Sequence, residues 1–247
     1  MPNEFIVGKN PVTEALKAGR DINKIWVSDR ARGSMRMITG LAKKQGVYVQ
    51  AVPKPKLDQL AEGKNHQGVV ASAAAHRYAE MEELFRRAEE RNEQPFFIVL
   101  DEIEDPHNLG AILRTADAAG AHGVITPKRR SPGLTSVVAK TSAGAIEYVP
   151  VVRVTNLART MDELKKRGLW FAGAAAEGMQ DYRDSDFDMA LGLVIGNEGK
   201  GIGRLIKEKC DFLVNLPMAG EVSSLNASVA AAILMYEVYR KRHPRGV

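Results

Sequence analysis

The amino-acid sequence predicts an α/β protein built from two modules, and three observations carry that reading. Short β-branched or apolar runs alternate with helix-forming stretches along almost the whole chain, the pattern of strands covered by helices. A charge-dense stretch, 77–95, ends at Pro95 immediately before the apolar run Phe96–Leu100, which separates a module at 1–76 from one at 96–247. The basic excess lies ahead of that boundary: residues 1–76 hold 12 Lys/Arg against 6 Asp/Glu, whereas residues 96–247 hold 19 against 18. A basic module beside a nearly neutral one suits a grip on a phosphate backbone next to a separate catalytic unit.

In the first module, Val12, Ala15 and Leu16 share one face behind Pro11, so 11–18 reads as a helix after the run Phe5-Ile6-Val7. Residues 22–27 alternate and are β-branched, a strand. A helix is expected over 36–45, stopped by Gly46, then a strand over 47–52 closed by Pro53 and Pro55. A short helix at 57–60 and a strand at 68–74 complete the module. Residues 78–93 place Glu82 before Arg86 and Glu83 before Arg87 at i, i+4 and read as a solvated linker helix. From residue 96 the expected order is strand 96–101, helix 109–119, strand 123–126, helix 135–145, strand 146–154, helix 157–167 and strand 169–174. It continues with strand 190–195, helix 202–209, strand 212–216 and helix 228–242. Apolar strands between helices call for a mostly parallel sheet covered on both faces, with ligands at the carboxyl ends of its strands.

Several classes of function find no support. Cys210 is the sole cysteine, which excludes an internal disulfide and a Cys-built zinc site and suits a small, partly buried apolar residue. The five histidines, 66, 76, 107, 122 and 243, show no metal-ligand spacing, and no GxSxG elbow is present. No apolar run approaches the roughly 20 residues of a membrane span, and the first residues lack the features of a signal peptide. The expected location is the cytoplasm.

Three loops at predicted strand ends carry polar residues in excess of what turns require. The first, Asp105-Pro106-His107-Asn108-Leu109-Gly110, leads into a helix containing Arg114; Asn108 suits a helix N-cap. The second runs Gly196-Asn197-Glu198-Gly199-Lys200-Gly201-Ile202-Gly203. Its glycines admit close approach of a ligand to the backbone, yet their spacing fits neither a Walker A loop nor the GxGxxG fingerprint, which disfavours a dehydrogenase. The third, Leu216-Pro217-Met218 through Ser223-Ser224-Leu225-Asn226, opens the last helix, with Ser224 or Asn226 placed to cap it.

Taken in order, these loops resemble the three motifs of the SpoU/TrmH branch of the SPOUT RNA methyltransferases. The motifs match at Asn108 through Ala116, at Leu193 through Gly201, and at Leu216 through Ser228, without departure at the polar positions. Val7-Gly8-Lys9-Asn10-Pro11-Val12 and His66-Gln67-Gly68-Val69 resemble the small ribosomal-protein-like RNA-binding domain that accompanies some members. That pairing is typical of bacterial enzymes that methylate a guanosine ribose in the peptidyl-transferase region of 23S rRNA.

The resemblance implies a C-terminal SPOUT domain with a deep trefoil knot, S-adenosylmethionine as cofactor, and a homodimer formed through the C-terminal domain. It implies cofactor binding by backbone groups at Gly196, Leu216 and Leu225, with Asn197 and Met218 beside them. The reaction implied is attack of a ribose 2′-hydroxyl on the sulfonium methyl, with Arg114 of the partner helix helping to complete each site. Because a guanidinium keeps its proton in proteins, a charged Arg114 that orients the hydroxyl and steadies the developing alkoxide is easier than a free base. Asn108, Glu198, Ser224 and Asn226 are then positioning groups, and Lys9, Asn10, Arg20 and Lys24 are candidate RNA contacts. The same chemistry on tRNA or on an rRNA adenosine, and a non-catalytic ribosome-assembly protein, are the rival readings.

Overall fold

The structure, a computed structural model, describes residues 4–20, 22–30, 35–73, 76–178, 180–221 and 224–244. Ala74 of the last strand expected in the first module, and Val222 and Ser223 of the third loop, lie outside them. The chain divides into two compact units, one of residues 1–77 with 134–148, the other of residues 78–133 with 149–247.

The first unit contains β1 (Glu4–Val7), α1 (Lys9–Lys17), β2 (Ile22–Ser28), α2 (Arg36–Lys44), β3 (Val49–Val52), α3 (Lys54–Ala61) and β4 (Val69–Ala73). Its sheet has the order β1-β4-β2-β3, with β4 antiparallel to β1 and β2, and β2 parallel to β3. One face is closed by α1 and α2, whose Val12, Ala15, Leu16, Ile38 and Ala42 pack on Ile6, Ile25, Val27, Val69 and Ala71. The other face is covered at one end by α3, through Leu57 and Ala61 against Val7, Val52 and Val70. A register shift at Asn23 interrupts the alternation of β2. Ile22 and Ile25 therefore both reach the first core, and Lys24 and Trp26 turn to the opposite face.

The second unit begins with α4 (Met81–Arg91), β5 (Phe96–Leu100), α5 (Pro106–Ala118) and β6 (Gly123–Pro127). The chain then supplies α6 (Ser136–Thr141) to the first unit, before β7 (Val151–Val154), α7 (Leu157–Lys165), β8 (Trp170–Ala174) and the short β9 (Gln180–Asp181). It ends with β10 (Leu191–Ile195), α8 (Arg204–Lys209), β11 (Phe212–Asn215) and α9 (Ala227–Arg242). The seven strands form one parallel sheet ordered β7-β6-β5-β10-β8-β11-β9. β5 and β10 at its centre are buried along their whole length, as their unbroken apolar runs require. Helices α4, α7 and α8 pack on one face. Helices α5 and α9 pack on each other and touch β6 and β10 respectively.

Three expectations need correction. The segment read as a solvated linker helix is a wall of the second unit: Leu84 of α4 is buried against the sheet, Ala88 is buried as well, and Phe85 meets Phe97 edge-on at 5.0 Å. Its apolar stripe at 81, 84, 85 and 88 has helical spacing that the surrounding charges masked. The helix expected over 135–145 stops at Thr141, where Ala143 and Gly144 take positive φ, and Ala145–Glu147 form a 3-10 turn, so the following strand starts only at Val151. The helix expected from residue 109 starts at Pro106, because Asp105 caps it by accepting the His107 N–H at 2.9 Å and proline suits the first turn. Asn108 therefore does not cap.

His122 joins α4 to the sheet. Its Nδ1 accepts the Phe96 N–H and its Nε2 bonds to Glu93, each at 3.0 Å. Burial lowers its pKa from 6.5 to about 4 despite the neighbouring Glu93 carboxylate. Between those values the unfolded chain binds the extra proton, so stability falls as pH falls. Urea unfolding of this unit is expected to lose on the order of 3 kcal/mol as pH falls from 6.5 to 4, following the size of that shift. His122→Gln, less stable at neutral pH, is expected to show a flatter profile; parallel profiles would show that His122 is not the titrating group.

Candidate active site

Because all seven strands run the same way, the loops after β5, β8, β10 and β11 leave one edge of the sheet. Those after β8, β10 and β11 enclose a cavity of about 610 Å³ lined by Ala174–Glu177, Ile195–Ile202, Val214–Met218, Ser224, Leu225 and the start of α9.

The loop after β10 is folded tightly onto itself. Asn197 and Gly201 exchange backbone hydrogen bonds of 3.1 and 2.7 Å, and the Asn197 Oδ1 accepts the Gly199 N–H at 2.9 Å. A Cβ on Gly196 would lie 2.2 Å from the Gly201 carbonyl carbon and 2.3 Å from the Ile202 nitrogen, so only glycine fits there. Gly201 takes a φ of +67°, open to glycine without strain. Asp101 secures the far end of the loop by accepting the Gly203 N–H at 2.8 Å. Burial raises the Asp101 carboxyl pKa, opposed by that same hydrogen bond.

Three distant segments meet at Asn108, which is 6% exposed. Its Nδ2 donates to Glu198 Oε2 at 3.0 Å, and its Oδ1 accepts from Asn226 Nδ2 at 3.0 Å. Asn226 in turn caps α9, its Oδ1 accepting the Ser228 N–H at 3.0 Å. One relay of amides thus links the loops of all three motif segments. The helix start at Pro106 makes this possible, since it frees the Asn108 side chain from capping.

Of the residues singled out from the sequence, Gly196, Asn197, Glu198, Leu216, Met218, Ser224 and Leu225 line the cavity, and Asn108 and Asn226 join it through the relay. Arg114 does not reach it within one chain. It stands exposed on α5, with no hydrogen bond or ion pair among the described residues. In the first unit Lys9 and Asn10 open α1, with the Lys9 N–H bonded to Gln67 Oε1 at 3.1 Å, and Lys24 lies on the sheet face opposite α1 and α2. Arg20 is corrected: its guanidinium is 8% exposed and pairs with Glu147 at 3.0 Å, so it is a buried brace and not an RNA contact. The sequence reading missed Asp101, and also Glu177 and Lys207, which line the cavity and pair with each other. Position at a strand's carboxyl end was the available signal for Asp101 and Glu177.

Breaking the relay should be non-additive. Asn108→Ala is expected to cost about 1–3 kcal/mol in urea unfolding, and the Asn108→Ala/Asn226→Ala pair to show a coupling of roughly 0.5 kcal/mol or more. Simple additivity would mean the two amides act separately.

Comparison with known proteins gives this geometry a family. Residues 95–236 match the model of the SpoU rRNA Methylase family, and residues 5–79 match that of the RNA 2'-O ribose methyltransferase substrate binding domain. YacO of Bacillus subtilis, assigned to the TrmH family of tRNA/rRNA methyltransferases, is 60% identical over 245 residues, covering 99% of this chain and 98% of its own. The SpoU methyltransferase AviRb of Streptomyces viridochromogenes, solved with the cofactor AdoMet, superposes with a TM-score of 0.82 at 27% identity, over 97% of this chain and 90% of its own. An AdoMet-bound rRNA methyltransferase of Sinorhizobium meliloti gives 0.77 at 25% identity, over 96% and 87%. The TrmH/SpoU tRNA modifying enzyme of A. aeolicus gives 0.54 at 27% identity and covers only 64% of this chain and 84% of its own. Matched over its cavity-bearing segment by the one model and over its first segment by the other, this chain is a member of the SpoU methylase family that carries the family's substrate-binding domain.

Proposed function

We propose that this protein transfers a methyl group from S-adenosylmethionine to the ribose 2′-hydroxyl of a guanosine in 23S rRNA. The observation that carries the reading is the cavity at the carboxyl edge of the parallel sheet, walled by glycine backbone and joined to the Asn108 relay. Its residues fit the cofactor. The Gly196 position leaves no room for a side chain beside the Gly201–Ile202 peptide, and Leu216, Leu225, Asn197 and Met218, the other positions expected to hold the cofactor, line the same cavity. When bound, the cofactor supplies an electrophilic methyl.

The residues of this chain would do the rest. Glu198, held by Asn108 and through it by Asn226, would present a fixed carboxylate at the cavity, which Ser224 also lines. Arg114, exposed and outside its own cavity, is assigned to the site of the partner subunit, where its charge would orient the 2′-hydroxyl and stabilise the alkoxide. A homodimer through the second unit is supported by α9, which packs on α5 and exposes Val229, Ile233, Tyr236 and Tyr239 along one face. Such a stripe is unusual on a surface that stays in water.

Ribosomal RNA is favoured over tRNA by coverage: the rRNA methyltransferase of S. meliloti matches both units of this chain, whereas the tRNA modifying enzyme of A. aeolicus matches 64% of it. The guanosine in the peptidyl-transferase region rests on the motif resemblance, and a cytoplasmic location follows from the substrate. Mapping ribose methylation in a deletion strain is expected to show one 23S guanosine losing its 2′-O-methyl group. A loss confined to tRNA or to an rRNA adenosine would replace the proposed substrate.

The shared-site arrangement has its own test. Arg114→Ala is expected to keep S-adenosylmethionine binding and lose turnover, and Gly196→Ala to lose binding. Mixed in equal amounts and allowed to exchange subunits, the two inactive variants should recover about a quarter of wild-type activity, one restored site in each mixed dimer. No recovery from fully exchanged dimers would place Arg114 outside the partner's site.

A further inference from the structure

The first unit carries a cluster of aromatic rings around Lys24, one of the candidate RNA contacts, and no role has been given to those rings. Its sheet face opposite α1 and α2 is covered by α3 only near Val7, Val52 and Val70. The remainder is a row across the strands. Phe5 and Lys24 both pair with Ser72 of β4, Tyr48 flanks Lys24 just ahead of β3, and Trp26 lies one step along beside Gln50. Tyr48 is 62% exposed. The Lys24 ammonium sits between two rings, 5.2 Å from the centre of Trp26 and 5.3 Å from that of Tyr48, and Phe5 backs Trp26 at 6.0 Å. The shift at Asn23 puts Lys24 and Trp26 on this face. Without it, the alternation set by Ile22 would send both into the core.

We propose that this open half of the sheet face is a base-stacking site for single-stranded RNA, in which a nucleobase lies on the Tyr48 ring and Lys24 meets the adjoining phosphate. The polymer is identified from the RNA-methyltransferase reading above. The chemistry of the face selects it independently over an apolar protein partner. A protein surface closing over these rings would strip water from the Lys24 ammonium without neutralising it, whereas a nucleotide brings a flat π-face and an anion together. The helix covering the other half of the face opens with Lys54 and Lys56, and residues 1–76 carry a net charge of +6, so the surroundings favour a polyanion. Stacking on an exposed ring requires an unpaired base, which directs the site to loops and single strands and not to duplex.

The chain has two tryptophans, and Trp170→Phe leaves Trp26 as the sole indole reporter. In the full-length protein, a short single-stranded oligouridylate is expected to quench Trp26 emission saturably, RNA duplex of equal length more weakly, and heparin not at all. Tyr48→Ala should weaken oligouridylate binding at least about fivefold, the lower end of what one stacked base contributes, while Tyr48→Phe keeps it. Lys24→Gln should reduce the salt dependence by about one phosphate contact. Equal affinity of Tyr48→Ala and Tyr48→Phe, or equal quenching by heparin, would overturn the proposal. Methyl transfer to RNA is measured on the same protein. If it is absent while quenching behaves as expected, the proposed reaction fails and the stacking site stands; if it is present while Tyr48→Ala binds normally, the reverse holds.

Discussion

Asn108 holds the second unit's site together because its one amide is committed in two directions. A primary amide offers donors on nitrogen and an acceptor on oxygen, and here the donor goes to Glu198 and the acceptor receives Asn226. The three segments are far apart in sequence, and each comes from a different strand end. A carboxylate could not replace Asn108, since it would face Glu198 without a proton to share. A shorter side chain would leave both neighbours to water. The cavity's rim is therefore set by hydrogen-bond polarity as much as by packing, and the buried position of Asn108 makes each unmade bond costly.

That relay works only because the strands beneath it are parallel and buried. With β5 and β10 adjacent at the sheet centre, the loop that leads into the Asn108 helix and the loop carrying Glu198 leave neighbouring strands on the same edge. The β10 loop then folds back so tightly that Gly196 touches the Gly201–Ile202 peptide, which exposes backbone groups where side chains would otherwise stand. Asp101 anchors the return of this loop, and Cys210 packs against the core beneath α7 and α8, its thiol pKa pushed up to about 12 by burial. Cys210 is accordingly a packing residue, as its isolation in the sequence suggested.

Charge was informative in sum and unreliable residue by residue. The basic excess of the first unit is a property of composition, but two of the cations counted in it behave oppositely. Arg20 is withdrawn into a buried cluster with His76 and Glu147, where burial and the adjoining guanidinium lower the His76 pKa to about 3. Lys24 is turned outward among aromatic rings by a one-residue irregularity in β2. Nothing in the local sequence around either residue distinguishes these fates, because each depends on a partner brought from elsewhere in the chain.

The sequence by itself determined the alternation of strands and helices, the parallel sheet, the three polar loops at strand ends and the family to which they belong, all of which are written in local periodicity and contiguous motifs. Unbroken apolar runs such as 96–100 and 191–195 permit only a strand buried on both faces, and glycines in a strand-end loop permit only close backbone approach. The tertiary structure alone decided that Asn108 bridges and does not cap, that the charged 81–91 helix is a wall of the sheet, and that the Arg20 side chain is buried. Each of these turns on a contact between residues distant in the chain. Local propensity gives no information about such contacts, because the energy that settles them exists only once the partner is in place.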